Sequence, residues 1–208
     1  MKKDEQFTEW AMKILSIAQA GLSYSDNPFE IERCHELQKI GEQMLSWQMD
    51  QPLSEIKRLF DCEDGYMTPK VDTRAALFED GKILLVHENN GDWALPGGWC
   101  ETTCSPVENT LKELEEEAGV IGRAEKLIAV QDWRKHNPCN LPYGVVKIFI
   151  ECSPEGKTEM DHTETSEARF FSRDEIPENL ASEKDTKEQI EMCFDAYEAG
   201  KNWQVQFD

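Results

Sequence analysis

Basic residues are scarce in this chain. Lysine and arginine number 22 against 42 aspartates and glutamates, for a formal net charge of -20. The surplus is spread along the sequence and argues against nucleic acid as the main partner, because domains that bind it carry clustered cations. Long apolar runs are also missing. No segment reaches the roughly 18 consecutive apolar residues of a membrane span, so no membrane partner is expected. The opening Met-Lys-Lys-Asp-Glu lacks the apolar run of a secretory signal. No Cys-x-x-Cys pair occurs among the seven cysteines, Cys34, Cys62, Cys100, Cys104, Cys139, Cys152 and Cys193. An odd count without that spacing fits free thiols in a reducing cytoplasm. Repeats and low-complexity segments are absent too.

What is present is a 39% apolar fraction in 208 residues, enough for one sizeable domain with an appendage. Residues 5–60 read as helical. Phe7, Trp10, Ile14 and Ile17 fit an amphipathic stripe ending near Gly21. Asn27-Pro28 opens a second helix carrying Ile31, Cys34, Leu37, Ile40 and Leu45, and a shorter one follows Pro52. Residues 61–69 read as a linker. The division expected is a helical extension over 1–64 and a second domain over 65–208. A unit of roughly 60 residues buries little surface by itself. Its apolar stripes therefore predict a partner, and a homodimer through these helices is the expected assembly.

From Val71 the pattern changes. Residues 73–78 and 82–86 read as strands around Asp80-Gly81, a strong hairpin signal. Residues 93–95, 124–132, 145–151 and 168–171 read as further strands. Residues 134–142 read as a polar loop and 172–177 as a turn. Ser182 is the expected cap of a last helix over 183–199. Such a mixture predicts an α/β domain, a mixed sheet with helices on its faces.

The most informative stretch runs from Leu95 to Ile121. Ser105, Pro106 and Glu108 form a capping box with proline in the first turn, and Gly119 supplies the stop, so residues 106–118 should be a helix. At about 100° per residue, Glu113, Glu116 and Glu117 share one face, away from Val107, Leu111, Leu114 and Ala118. Like charges at these spacings repel, and a hard divalent cation such as Mg²⁺ or Mn²⁺ would relieve that cost. Pro96-Gly97-Gly98 leads into the helix, and glycine permits close backbone approach to a ligand.

This stretch resembles the box of the Nudix hydrolases, Gly-x5-Glu-x7-Arg-Glu-U-x-Glu-Glu-x-Gly-U with U aliphatic. Gly98 matches the opening glycine. Glu113, Leu114, Glu116, Glu117, Gly119 and Val120 match the second half in register. Cys104 stands where the first glutamate is expected, and Lys112 replaces the arginine. The resemblance implies that these two changes remove the pair bracing the loop to the helix. Residues 16–24, 29–33, Trp133-Arg134-Lys135-His136, Tyr143 and Lys147-Ile148-Phe149 extend the likeness to members with a helical N-terminal extension. That subgroup includes CDP-choline and ADP-ribose pyrophosphatases.

The resemblance implies an α/β/α sandwich and metal-dependent hydrolysis of a nucleoside diphosphate linked to another moiety, CDP-choline-like or ADP-ribose-like. Glu113 and Glu117 would ligate Mg²⁺ or Mn²⁺, with Glu116 and the Gly97 carbonyl as further ligands. A general base must reach the attacking water; the resemblance implies either a glutamate of the box or an acid on a later loop, where Asp161, Glu164 and Glu167 are the candidates and Glu164 is the choice. Arg74, Arg134, Lys135 and His136 are the candidate substrate contacts. The alternative is a catalytically weakened module that binds nucleotide without turnover.

Overall fold

The computed structural model describes residues 3–60, 65–138, 141–161, 163 and 165–208. The chain forms two compact units, Met1–Pro69 with Asn140–Tyr143, and Lys70–Cys139 with Gly144–Asp208. Among the described residues no helix is long and apolar enough to cross a membrane.

The first unit holds α1 (Lys3–Tyr24), α2 (Pro28–Met49) and α3 (Leu53–Phe60). Asn27 caps α2 as its sequence predicts, accepting the Phe29 N–H at 3.0 Å with Pro28 behind it. The buried seam keeps Leu45 of the predicted stripes but is otherwise built from other residues. Ala11 and Leu15 of α1 meet Leu45 of α2 and Ile56 of α3, whereas Trp10 and Ile17 are each 56% exposed and Leu37 and Ile40 also face outward. Small residues are the reason. A side chain at Gly41 would meet Leu15 at 2.7 Å, so the helices close along a narrow line and leave the bulkier residues outside.

The second unit is a mixed sheet between two helices. Its central strand β1 (Lys70–Glu79) turns at Asp80-Gly81 into β2 (Lys82–Glu88). Both turn residues have positive φ, as a tight hairpin needs. The strands β3 (Trp93–Ala94) and β7 (Thr165–Phe171) flank β2. The first half of β1 pairs with the short β4 (Gly97–Trp99) on one side. On the other it runs parallel to β6 (Val145–Lys157), followed by β5 (Val120–Asp132) and β8 (Gln206–Phe207). Alternation along β1 sorts the core. Ala75 and Leu77 face Leu114 of α4 (Pro106–Ala118), while Ala76 and Phe78 face Ile190, Cys193 and Phe194 of α6 (Lys187–Ala199). This is the expected α/β/α arrangement.

Three local differences matter. The region after β5 is not all loop, because Asp132 caps a short helix, α5 (Trp133–His136). Helix α6 starts at Lys187 instead of 183, because Thr186 and Gln189 form a capping box that competes successfully with Ser182. The strands β4 and β8 are too short to leave a pattern.

Candidate active site

Helix α4 is fixed at both ends by the devices its sequence carries. Ser105 accepts the Glu108 N–H at 3.3 Å, and the Glu108 carboxylate accepts the Ser105 N–H at 2.8 Å. Gly119 closes the helix in the left-handed conformation. Beyond it, the segment bearing the later acids is tied to the helix end. The N–H of Thr158 donates to the Gly119 carbonyl, that of Asp161 to Glu116, and the Thr165 hydroxyl to Glu117.

With the helix so held, Glu117 turns inward and Glu113 lies beside it. The buried Glu117 carboxylate accepts the Gly97 N–H at 2.8 Å. Glu113 sits over Gly98, where an added Cβ would meet its carboxylate at 3.3 Å. Gly97 itself has φ +149, and a side chain there would strike the Thr73 carbonyl at 2.0 Å. Only glycine lets this strand press against β1 while presenting its amide to Glu117. Burial pushes the Glu117 carboxyl up to about 7; the Gly97 N–H, Arg74 and Lys184 oppose that rise and Glu113 adds to it.

Glu116 faces the other way. Its side chain is half exposed and pairs with Lys112 at 2.6 Å. Lys112 also reaches Glu101 at 3.3 Å. The bracing contact expected to be lost with the changes at Cys104 and Lys112 is therefore made by Lys112 itself, with Glu101 of the loop supplying the carboxylate. The hydrogen bond to Glu116, aided by Glu101, holds the Lys112 ammonium above its ordinary range. Asn109, fully buried, adds a second tie. It accepts the Glu101 N–H at 3.0 Å and donates to the Thr73 hydroxyl at 2.9 Å, joining loop, helix and β1.

Arg74 is buried and committed to protein. It meets Asp72 through two bonds, at 2.8 and 2.6 Å, and donates to the Leu95 carbonyl at 3.2 Å. Burial alone would raise the Asp72 carboxyl; Arg74 and Lys147 outweigh it and hold the group below its ordinary value. Arg134, Lys135 and His136 lie on α5. Arg134 bonds Asp132, and His136 sits 3.0 Å from the Asp208 carboxylate. Strand register carries Asp132 to Val146, Val146 to Val71, and Asp72 to Trp99, so α5 leaves the same end of the sheet as the glycine loop. Asp161 accepts the backbone N–H and hydroxyl of Thr163, and Glu167 lies on β7 opposite His87. Glu164 lies outside the described residues.

Among the described residues, no three His, Cys, Asp or Glu side chains gather into a ready-made metal cage. The donor set still fits a hard divalent ion. Two carboxylates one turn apart meet a glycine loop with no side chain in the way, and ions such as Mg²⁺ use one or two carboxylates with water and phosphate oxygens. Sequence reasoning missed Glu101, Asn109 and Lys184. None belongs to the matched motif, and only spatial proximity reveals them.

Two family models match the chain. One, described as the NUDIX domain, covers residues 68–192; the other, described as a UDP-X-like, N-terminal oligomerisation domain, covers residues 5–60. The Bacillus subtilis (strain 168) protein named "Putative ADP-ribose pyrophosphatase YjhB" is 39% identical over 196 residues, 94% of each chain. A solved structure described as an ADP-ribose pyrophosphatase from Streptococcus suis 89-1591 is 43% identical, with a TM-score of 0.62, over 68% of this chain and 100% of that one. A solved UDP-X diphosphatase is 32% identical, with a TM-score of 0.63, over 100% of both chains.

Proposed function

The chain belongs to the Nudix hydrolase family, and on that premise we propose that it hydrolyses a nucleoside diphosphate linked to another moiety, of the ADP-ribose or CDP-choline kind, with Mg²⁺ or Mn²⁺ as cofactor. Water is consumed at the diphosphate bond, giving a nucleoside monophosphate and a phosphorylated partner. The observation that carries this reading is the meeting of Glu113 and Glu117 with Gly97 and Gly98 on one side of α4.

In this reading Glu113 and Glu117 would hold the metal, with the Gly97 carbonyl as a further donor, and Glu116 would join them only by leaving its ion pair with Lys112. Bound there, a divalent ion neutralises phosphate oxygens and lowers the pKa of a coordinated water. Gly97 and Gly98 leave room for the diphosphate to approach. Glu164 takes the proton from the attacking water. Arg134 and Lys135 supply cations for the substrate's anionic groups at the same end of the sheet, with His136 as a further contact. Arg74 acts from behind, since its guanidinium is engaged by Asp72 and Leu95. The Glu101–Lys112 pair supports turnover over a weakened binding module, because the loop keeps a brace despite Cys104.

The exposed Trp10, Ile17, Leu37 and Ile40 support a homodimer through the N-terminal helices, as does the oligomerisation module matched over residues 5–60. The decisive experiment is a turnover screen of ADP-ribose, UDP-sugars and CDP-choline. Phosphate release is coupled through a phosphatase, with Mg²⁺ and then with excess chelator. Metal-dependent release from one class supports the reading. No release from any, with nucleotide still bound, would favour the binding module.

A further inference from the structure

We propose that Asp185 is a positioning residue for the hydrolytic site, acting through the backbone of Leu95. This rests on Glu117 belonging to that site. Asp185 stands 90 residues from Leu95 in sequence, just before α6, and is fully buried. Its Oδ2 accepts the Leu95 N–H at 3.0 Å, while Arg74 donates to the Leu95 carbonyl at 3.2 Å. Both backbone polar groups of Leu95 are thus gripped by buried ionisable side chains. Arg74 Nη1 lies 3.8 Å from the same Asp185 oxygen.

The grip is closed into a ring. Asp72 holds Arg74 through two bonds, and Lys147 holds Asp72 at 3.1 Å. Lys147 in turn donates to the carbonyl of Lys184, the residue preceding Asp185. Each member is fixed by the next, so Leu95 cannot shift without disturbing four buried ionisable side chains, Asp72, Arg74, Lys147 and Asp185. From Leu95 the chain runs two residues to Gly97, with the Pro96 carbonyl accepting the Ala75 N–H at 2.8 Å. Gly97 then donates to Glu117. A displacement at Leu95 would be delivered to the carboxylate on which the site depends.

The second oxygen of Asp185 points to the same role. Oδ1 is buried and has no hydrogen-bond partner among the described residues. Leaving a buried acceptor unpaired forfeits its hydration without return, and apolar packing is often as stable as a buried ion network or more so. Stability alone gives little reason for a carboxylate here. Orientation of Leu95 does, because one oxygen must face both its N–H and the Arg74 guanidinium.

The test uses the full chain. In Asp185→Asn, Gly97 amide exchange measured by NMR should speed by about tenfold or more, while core amides on β6 keep their protection. Turnover should fall by about tenfold or more with KM changed far less. In Asp185→Asn/Glu117→Gln the two losses should not add, since one acts through the other. Gly97 protection and turnover at the wild-type level in Asp185→Asn would overturn the proposal, as would a uniform loss across all amides. If the variant does not fold, the wild type decides. Leu95 and Gly97 should exchange through a common opening, with matching dependence on low denaturant, and independent openings would overturn it. Absence of hydrolysis in the wild type would instead fail the functional reading, leaving the amide result to stand or fall by itself.

Discussion

The Gly97 N–H donates to Glu117 Oε2 across 2.8 Å, joining a glycine that tolerates no side chain to a carboxylate that resists ionisation. Buried beside Glu113, the Glu117 carboxyl is held up to about 7. A raised acid pKa means that the folded state binds more protons than the unfolded one between the ordinary carboxylate range and 7. Stability of chelated protein therefore falls as pH rises from about 4.5 through 7 and is flat in this respect below. Glu117→Gln should remove that slope and gain on the order of 3 kcal/mol at pH 8 relative to wild type. Turnover should drop by on the order of 10²-fold. Paired denaturation curves at pH 5 and pH 8 check the first, and steady-state kinetics the second. Equal slopes in both proteins would show that Glu117 ionises normally.

Gly97→Ala should be damaging out of proportion to one methyl group. The left-handed φ and the 2.0 Å approach to the Thr73 carbonyl leave no accommodation short of prising β4 from β1. A loss of roughly 2–4 kcal/mol is expected, with turnover reduced beyond what the unfolded fraction explains. Gly81→Ala is the control: positive φ but open space around it, so a smaller loss and unchanged turnover. Urea titration with parallel activity measurements distinguishes them.

The Lys112 bridge predicts a graded series. Glu101→Gln removes one end of the brace and leaves Glu116. Turnover should fall several-fold, with a stability loss below about 1 kcal/mol for so exposed a pair. Lys112→Ala should fall further. Lys112→Arg, whose fork can serve Glu101 and Glu116 together, should match or exceed the wild-type rate. Collapse of the arginine variant would mean that Lys112 is adapted to its own neighbours.

Helix α4 was legible because its capping box, its apolar face and Gly119 all agree on one span. The same spacing brought Glu113 and Glu117 together but grouped Glu116 with them, whereas Glu117 is buried against Gly97 and Glu116 turns out to Lys112. The replacement brace was not legible, because motif matching compares positions and Glu101 is not the position the motif names. Asn109 gave no signal either, since a buried amide one turn into a helix looks like any polar residue until Thr73 is placed opposite. The grip on Leu95 joins residues 90 apart, beyond any local pattern. In the N-terminal helices periodicity found the apolar residues and placed Leu45 in the seam, but set Trp10, Ile17, Leu37 and Ile40 there too, where the structure exposes them. Small residues such as Ala11 and Gly41 contribute little to an apolar stripe yet decide how closely two helices approach.

That misplaced seam leads to the last prediction. Trp10 and Ile17 stand exposed on α1, and Leu37 and Ile40 on α2, while the unit's core is closed by Ala11, Leu15, Leu45 and Ile56. Since packing within the helical unit leaves these side chains uncovered, a second copy is the expected cover, and two-fold symmetry is the commonest closed solution. The chain mass is 24.0 kDa, so light scattering at micromolar protein should return about twice that value. Trp10→Asp with Ile17→Asp places charge on the exposed face without touching Ala11 or Leu15. The double variant should scatter as a monomer while keeping its helical circular dichroism, and a hydrolytic domain complete in itself should retain turnover. A wild-type mass near 24.0 kDa would sink the dimer. A dimer that survives both substitutions would place the interface elsewhere.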